Sequence, residues 1–219
     1  PDGRYFAAKG RKFDDEHFHL FDAQSGKQLQ QFSKNSYINA ANFTPDSNRF
    51  VVLEGSDTVQ IKDLQTSRTL QSWKLGPEPK HGNFRLSPDG QKIVTFRSQF
   101  SDDGTNPIVW ELATGTRLQT FVGHKVPPYQ ASFSPDGRRL VTCSADEFMV
   151  WDVATGRPVL KQPLLGVSDA IFVDRGRKVL TCVNPNDSAT RRGILWDAIS
   201  GEQLHTIALA SGHLQSASD

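Results

Sequence analysis

The chain has 219 residues with 25 basic and 24 acidic side chains, a formal net charge of +1 and 37% hydrophobic residues. That length supports one substantial core rather than two domains, and near-neutral charge removes any global pull toward nucleic acid or anionic membrane. No apolar stretch approaches the roughly 18 residues a spanning helix needs, the N-terminus is not signal-like, and low cysteine use is compatible with a reducing compartment such as the cytoplasm.

Taken in chain order, five segments repeat one design. Each opens on a polar turn: Pro1-Asp2-Gly3, Thr44-Pro45-Asp46-Ser47, Ser87-Pro88-Asp89-Gly90, Ser134-Pro135-Asp136-Gly137 and Val173-Asp174-Arg175-Gly176. Each then runs through a β-rich stretch to an aromatic or basic residue followed by an acid: Phe21-Asp22, Lys62-Asp63, Trp110-Glu111, Trp151-Asp152 and Trp196-Asp197. Those acids recur at spacings of 41, 48, 41 and 45, a period of about 40 to 45 that marks a four-stranded propeller blade. The expected blades are residues 1–34, 35–76, 77–123, 124–166 and 167–212, and a strand from 213–219 is expected to complete the first.

Local chemistry agrees with that period. In Ser134-Pro135-Asp136-Gly137, Pro presets φ for a tight turn, Asp tolerates the second central position and Gly takes a positive φ. Arg139-Leu140-Val141-Thr142-Cys143 and Lys178-Val179-Leu180-Thr181-Cys182 are short and β-branched, as strands should be. Third strands such as Phe148-Met149-Val150-Trp151 are apolar on both faces, which predicts sheets covered on both sides. The second segment departs from this, with Gln60 and Lys62 where apolar residues and Trp stand elsewhere, so one side of that blade is expected to pack less well.

The repeated Ser-Pro-Asp-Gly, Trp-Asp and Ala-Thr-Gly, with a full Gly123-His124, resemble the WD40 family over essentially the whole chain. The resemblance implies an all-β propeller of four-stranded antiparallel blades with about five blades visible. It leaves open a closed five-blade ring, part of a larger propeller, or a ring built from two chains. It also implies a structural hydrogen-bond tetrad of His124, Thr142, Asp146 and Trp151. In that tetrad Asp146 would orient His124, His124 would bridge to the hydroxyl, and Trp151 would donate its indole N–H. A His, hydroxyl and carboxylate together suggest nucleophilic chemistry, but here the expectation is structural. The other blades lack the Gly-His, so their stability is expected to come mainly from packing.

Remaining motifs read as structure before chemistry. His17-Phe18-His19 beside Asp14, Asp15 and Glu16 begins a zinc pattern without a third His or Cys, so no metal and no cofactor are expected. Ser101–Asn106 and Asn184–Asp187 lack calcium-loop spacing and read as turns. No phosphate loop, nucleophile elbow or Cys-x-x-Cys occurs. Asn42-Phe43-Thr44 and Asn186-Asp187-Ser188 are formal glycosylation sequons. Cys143 and Cys182 fall at equivalent points of neighbouring blades, too far apart for a disulfide, and are expected to be small buried residues.

Loops between second and third strands lengthen at 11–16, 98–106 and 184–192, and share one end with the connections 77–81 and 125–129. Variable loops on a stacked repeat are where partners bind. That end mixes Arg11, Lys12, Arg191 and Arg192 with Phe13, Phe100 and Tyr129, residue types that anchor protein interfaces. The expected function is a non-catalytic scaffold for a protein or peptide partner, as a module of a larger protein and as a monomeric ring or homo-oligomer. The alternative is a sensor or carbohydrate and small-ligand binder, with an enzyme third, since no acid-base cluster stands apart from the tetrad.

Overall fold

The polar turns at 44–47, 87–90 and 134–137 close in the computed structural model, and the hydroxyl that opens each of the three fastens it. Buried Ser134 donates from Oγ to Asp136 Oδ1 at 2.5 Å and accepts the Arg139 N–H at 2.9 Å, while the Gly137 N–H reaches the Ser134 carbonyl at 2.8 Å. Ser87 repeats this with Asp89 at 2.5 Å, and Thr44 with Asp46 at 2.5 Å. Gly137 has φ +68°, the left-handed region glycine enters freely; Ser47 holds φ +54° at the matching position. In the fifth segment the turn becomes a short 3-10 turn over Asp174–Gly176.

The aspartate that ends four of these segments caps the turn that follows it. Asp152 Oδ1 accepts the Thr155 N–H at 2.8 Å and its hydroxyl at 2.7 Å, and Asp63 does the same with Thr66 at 2.7 Å for both. Asp22 receives Ser25, and Asp197 the N–H groups of Ile199 and Ser200. These bonds favour the ionised form and lower the carboxyl pKa; the Ser25, Thr66 and Thr155 hydroxyls lead at Asp22, Asp63 and Asp152, and the Ser200 N–H leads at Asp197.

The structure describes residues 3–9, 18–32, 38–55, 57–76, 82–96, 106–184 and 191–208. The segment 213–219, expected to complete the first blade, lies outside them. The chain forms two compact units, one of residues 1–78 with 113–115 and one of 79–112 with 116–219. In the first, β1 (Tyr5–Lys9), β2 (Phe18–Asp22) and β3 (Gln28–Phe32) form an antiparallel sheet in chain order. Four more strands, β4 (Ile38–Phe43), β5 (Arg49–Glu54), β6 (Thr58–Asp63) and β7 (Thr69–Lys74), form a second. Leu20, Phe50, Val52 and Leu64 make its core, with Tyr5, Ala7, Ala41 and Phe43 against them. Gly115 closes on this unit: at φ +71°, a Cβ there would stand 2.5 Å from the Trp73 ring, so only glycine fits.

The second unit holds three four-stranded antiparallel sheets, each in chain order. They are β8 (Asn83–Leu86), β9 (Lys92–Phe96), β10 (Ile108–Glu111) and β11 (Arg117–Thr120); β12 (Gln130–Phe133), β13 (Arg139–Cys143), β14 (Glu147–Asp152) and β15 (Pro158–Pro163); and β16 (Val167–Val173), β17 (Lys178–Val183), β18 (Arg192–Asp197) and β19 (Gln203–Ala208). Strand alternation sorts β14 between two cores. Phe148 and Val150 pack with Val167, Val179 and Trp196, while Met149 and Trp151 pack with Val94, Phe96 and Phe121. The sheet β12–β15 is therefore covered on both faces, as its doubly apolar third strand predicts. Outer strands β15 and β19 are largely exposed. Arg139 crosses between two sheets, donating from Nη2 to the Gly176 carbonyl at 2.5 Å and lying over the Phe172 ring at 5.3 Å. Cys143 and Cys182 are free and buried, and burial pushes the Cys143 thiol up. Among the described residues no helix is long and apolar enough to cross a membrane.

Candidate protein-interaction site

The Gly123-His124 segment lies on the face of β14 that carries Met149 and Trp151. A Cβ on Gly123 would come within 3.1 Å of Trp151 Cη2 and 3.6 Å of Met149 Cε, which is why glycine precedes the histidine. Antiparallel register puts Thr142 and Lys161 opposite Met149 on β13 and β15. Alternation puts Glu147 on the same face as Met149 and Trp151. Four polar side chains thus converge beneath one short segment.

Their bonding runs as a chain. The Trp151 indole N–H donates to Thr142 Oγ1 at 2.8 Å, and Thr142 Oγ1 lies 2.6 Å from His124 Nε2. Thr142 Oγ1 accepts the indole N–H and has its own hydrogen to give to Nε2, and the Glu147 carboxylate facing Nδ1 favours the tautomer with its proton there. Nδ1 faces Glu147 Oε1 at 3.1 Å, off the line of the N–H, so it is buried without an aligned hydrogen bond. Glu147 also receives the Lys125 N–H at 3.2 Å and Lys161 Nζ at 3.2 Å, and Lys161 Nζ donates to the Gly123 carbonyl at 2.9 Å. Burial holds the imidazole pKa down to about 4, aided by the Lys161 charge and opposed by Glu147 and Asp146.

This arrangement brings together three members of the expected tetrad, His124, Thr142 and Trp151. Asp146, expected to orient His124, instead accepts the Ser144 hydroxyl at 2.7 Å in the turn, and Glu147 is the carboxylate against the ring. The physical reason is alternation: residue 147 shares its face with 149 and 151, whereas 146 belongs to the turn. That signal was present in the sequence, as was a second. Thr95 and Thr181 hold the same strand position as Thr142, and accept indole N–H bonds from Trp110 at 2.8 Å and Trp196 at 2.9 Å. The Trp–Thr bond is thus common to three sheets, so packing is not their sole tie, and among the described residues the histidine joins it in one of them.

Of the expected contact residues, Tyr129 is half-buried, packs against the Phe148–Trp196 core, and donates its hydroxyl to the Val167 carbonyl. Gln130 beside it donates to Asp169 at 3.0 Å. Arg191 is half-buried and Arg192 exposed where β18 begins. Arg11, Lys12, Phe13 and Phe100 lie outside the described residues, as does His17; His19 sits in β2 with its ring 6.2 Å from that of Phe21. The hydroxyl of Thr44 in the first sequon is engaged in its turn. Beside Gly123-His124 in the chain, Val122 is 67% and Val126 39% exposed.

The family described as WD domain, G-beta repeat matches residues 115–152, from Gly115 through the Gly123-His124 pair to Trp151-Asp152. The chain belongs to the WD40-repeat family. A WD repeat-containing protein of Synechocystis is 26% identical to this WD40 chain over 148 residues, 66% of the chain and 40% of the relative. The target of rapamycin complex subunit LST8 of Rattus norvegicus is 30% identical over 158 residues, 67% of the chain and 45% of the relative. The WD40 chain therefore spans less than half the length of these two relatives. Hydrazine synthase of Kuenenia stuttgartiensis superposes with a TM-score of 0.69 at 20% identity, covering 88% of this chain and 59% of that one, a likeness of fold alone.

Proposed function

We propose that this chain is a non-catalytic WD40 scaffold for protein or peptide partners, a module of a larger protein, with contact carried by the loops that flank its blades. The observation that carries this reading is the direction in which the polar chemistry points. The side chains of His124 and Glu147 are 1% and 4% exposed, and the Trp151 indole, the Thr142 hydroxyl, His124 Nε2, the Glu147 carboxylate and the Lys161 ammonium are each engaged with another of the set or with the Gly123–Lys125 backbone, while His124 Nδ1 is enclosed against Glu147. Such a set fixes a loop and offers substrate no free acid or base. What the segment turns outward is apolar and basic: Val122, Lys125 and Val126.

Tyr129, Arg191 and Arg192, with Arg11, Lys12, Phe13 and Phe100, are the residues assigned to contact, since aromatic and Arg side chains dominate interface energetics. Membership of LST8 in a complex, by its name, supports a role of this kind. The net charge of +1 favours protein over nucleic acid as the partner. Affinity capture with the wild-type chain and with a combined Phe13, Phe100, Tyr129 and Arg191 to Ala variant tests the face. The variant is expected to lose specific partners while keeping its β-sheet circular dichroism; undiminished capture would remove this surface.

A further inference from the structure

Glu147 is a buried carboxylate with two basic side chains in reach, the Lys161 ammonium with Nζ 3.2 Å from Oε2 and the His124 imidazole with Nδ1 3.1 Å from Oε1. One carboxylate compensates one full positive charge in a buried site, and a second charge would stand unpaired at a large desolvation cost. The groups facing the imidazole are Thr142 from β13, Asp146 from the turn, Glu147 and Trp151 from β14, and Lys161 from β15, while Lys125 of its own segment gives its backbone N–H to Glu147 and turns its side chain outward. Among these Lys161 is the ammonium paired with Glu147, and it is 39% exposed, open to solvent where the imidazole is not.

We propose that Lys161 and His124 are alternative counter-ions of Glu147, so that loss of the lysine charge makes the imidazole take up a proton in its place. Lys161 is then a positioning residue: it sets the charge of His124 and ties the Gly123 carbonyl to β15. The sister sheets show where the hydrogen bonds go when His124 is charged. An imidazolium donates from both nitrogens, so Thr142 must turn its own hydrogen elsewhere. Thr95 and Thr181, with no histidine partner among the described residues, point theirs at the carbonyls of Ile108 and Ile194 at 3.4 and 3.3 Å. The matching acceptor for Thr142 is the carbonyl of Met149, its partner across β13 and β14. The proton comes from solvent, and the Trp151–Thr142 bond is kept.

The test is the titration of the His124 ring by NMR in the whole chain. Lys161→Gln keeps an amide donor for the Gly123 carbonyl without the charge, and is expected to raise the proton affinity of His124 at least about tenfold, roughly one pKa unit. Lys161→Arg is expected to leave it as in wild type, and adding Glu147→Gln to Lys161→Gln is expected to abolish the gain. An unmoved or weakened proton affinity in folded Lys161→Gln overturns the proposal. If Lys161→Gln does not fold, Glu147→Gln alone decides: the imidazole without its carboxylate binds its proton more weakly than in wild type, and a rise overturns the proposal. Altered capture of partners by Lys161→Gln rests additionally on the scaffold reading; the NMR arm needs no partner, so the two fail separately.

Discussion

The sheets β12–β15 and β4–β7 share strand order, turn chemistry and register but not their third-strand contents. Leu140 faces Trp151 in one, and Phe50 faces Lys62 at the same place in the other. Thr142, which binds both Trp151 and His124, corresponds to Val52, a core residue of its own unit. Lys62 reaches Thr69 Oγ1 at 2.9 Å, and burial lowers its pKa against the pull of Glu54. The β6 strand buries Val59 and Ile61 and leaves Gln60 and Lys62 half-exposed, whereas β14 is buried along all but its last residue. The lesson is a division of labour: the Asp-capped turns, common to both, make a blade, and the Trp–Thr bond determines how tightly its flank is held.

The largest effect should come from emptying the better-packed flank. Trp151 is 0% exposed, so Trp151→Ala is expected to cost about 3–5 kcal/mol of unfolding free energy in urea titration. Lys62→Ala, at the equivalent place, should cost far less; equal losses would break the comparison. Next, Thr142→Val leaves two buried groups, the Trp151 indole and His124 Nε2, without their partner, and should cost about 2–3 kcal/mol. Thr95→Val and Thr181→Val each strand a single indole and should cost about 1–2 kcal/mol in the same measurement.

Acid sharpens the contrast. Because the pKa of folded His124 is lowered from 6.5 to about 4, the unfolded chain binds a proton in that interval that the folded chain refuses. Stability from this site is full above pH 6.5 and falls as pH drops toward 4, by up to about 1.4 kcal/mol per pH unit. Asp63 and Asp152, with lowered pKa values, lose their contribution only below the ordinary 3.8. His124→Asn should therefore flatten the upper window of a stability-against-pH curve and leave the lower one. The smallest effect is the transplant: Val52→Thr and Lys62→Trp each bury an unpaired polar group, and together should recover about 1 kcal/mol in a double-mutant cycle.

Much of this was legible in the sequence because its signals are local. Ser134-Pro135-Asp136-Gly137 carries its own turn chemistry, and Phe148-Met149-Val150-Trp151 announces a strand covered on both sides. The polar chain under Gly123-His124 was legible only in part. His124, Thr142 and Trp151 lie on it, but the partner carboxylate is Glu147, one residue beyond Asp146, and Lys161 comes from the following strand. Spacing along the chain does not rank neighbouring acids; the side of the pleat does.

The amino-acid order alone determined the period, the turns and the alternation that gives each strand its two faces, since these depend on contacts within a few residues. Only the tertiary structure decided which charges meet. Glu147, Lys161 and His124 are separate in sequence, and their protonation follows from burial beneath one segment, a property of the packed sheet that no single stretch of chain contains.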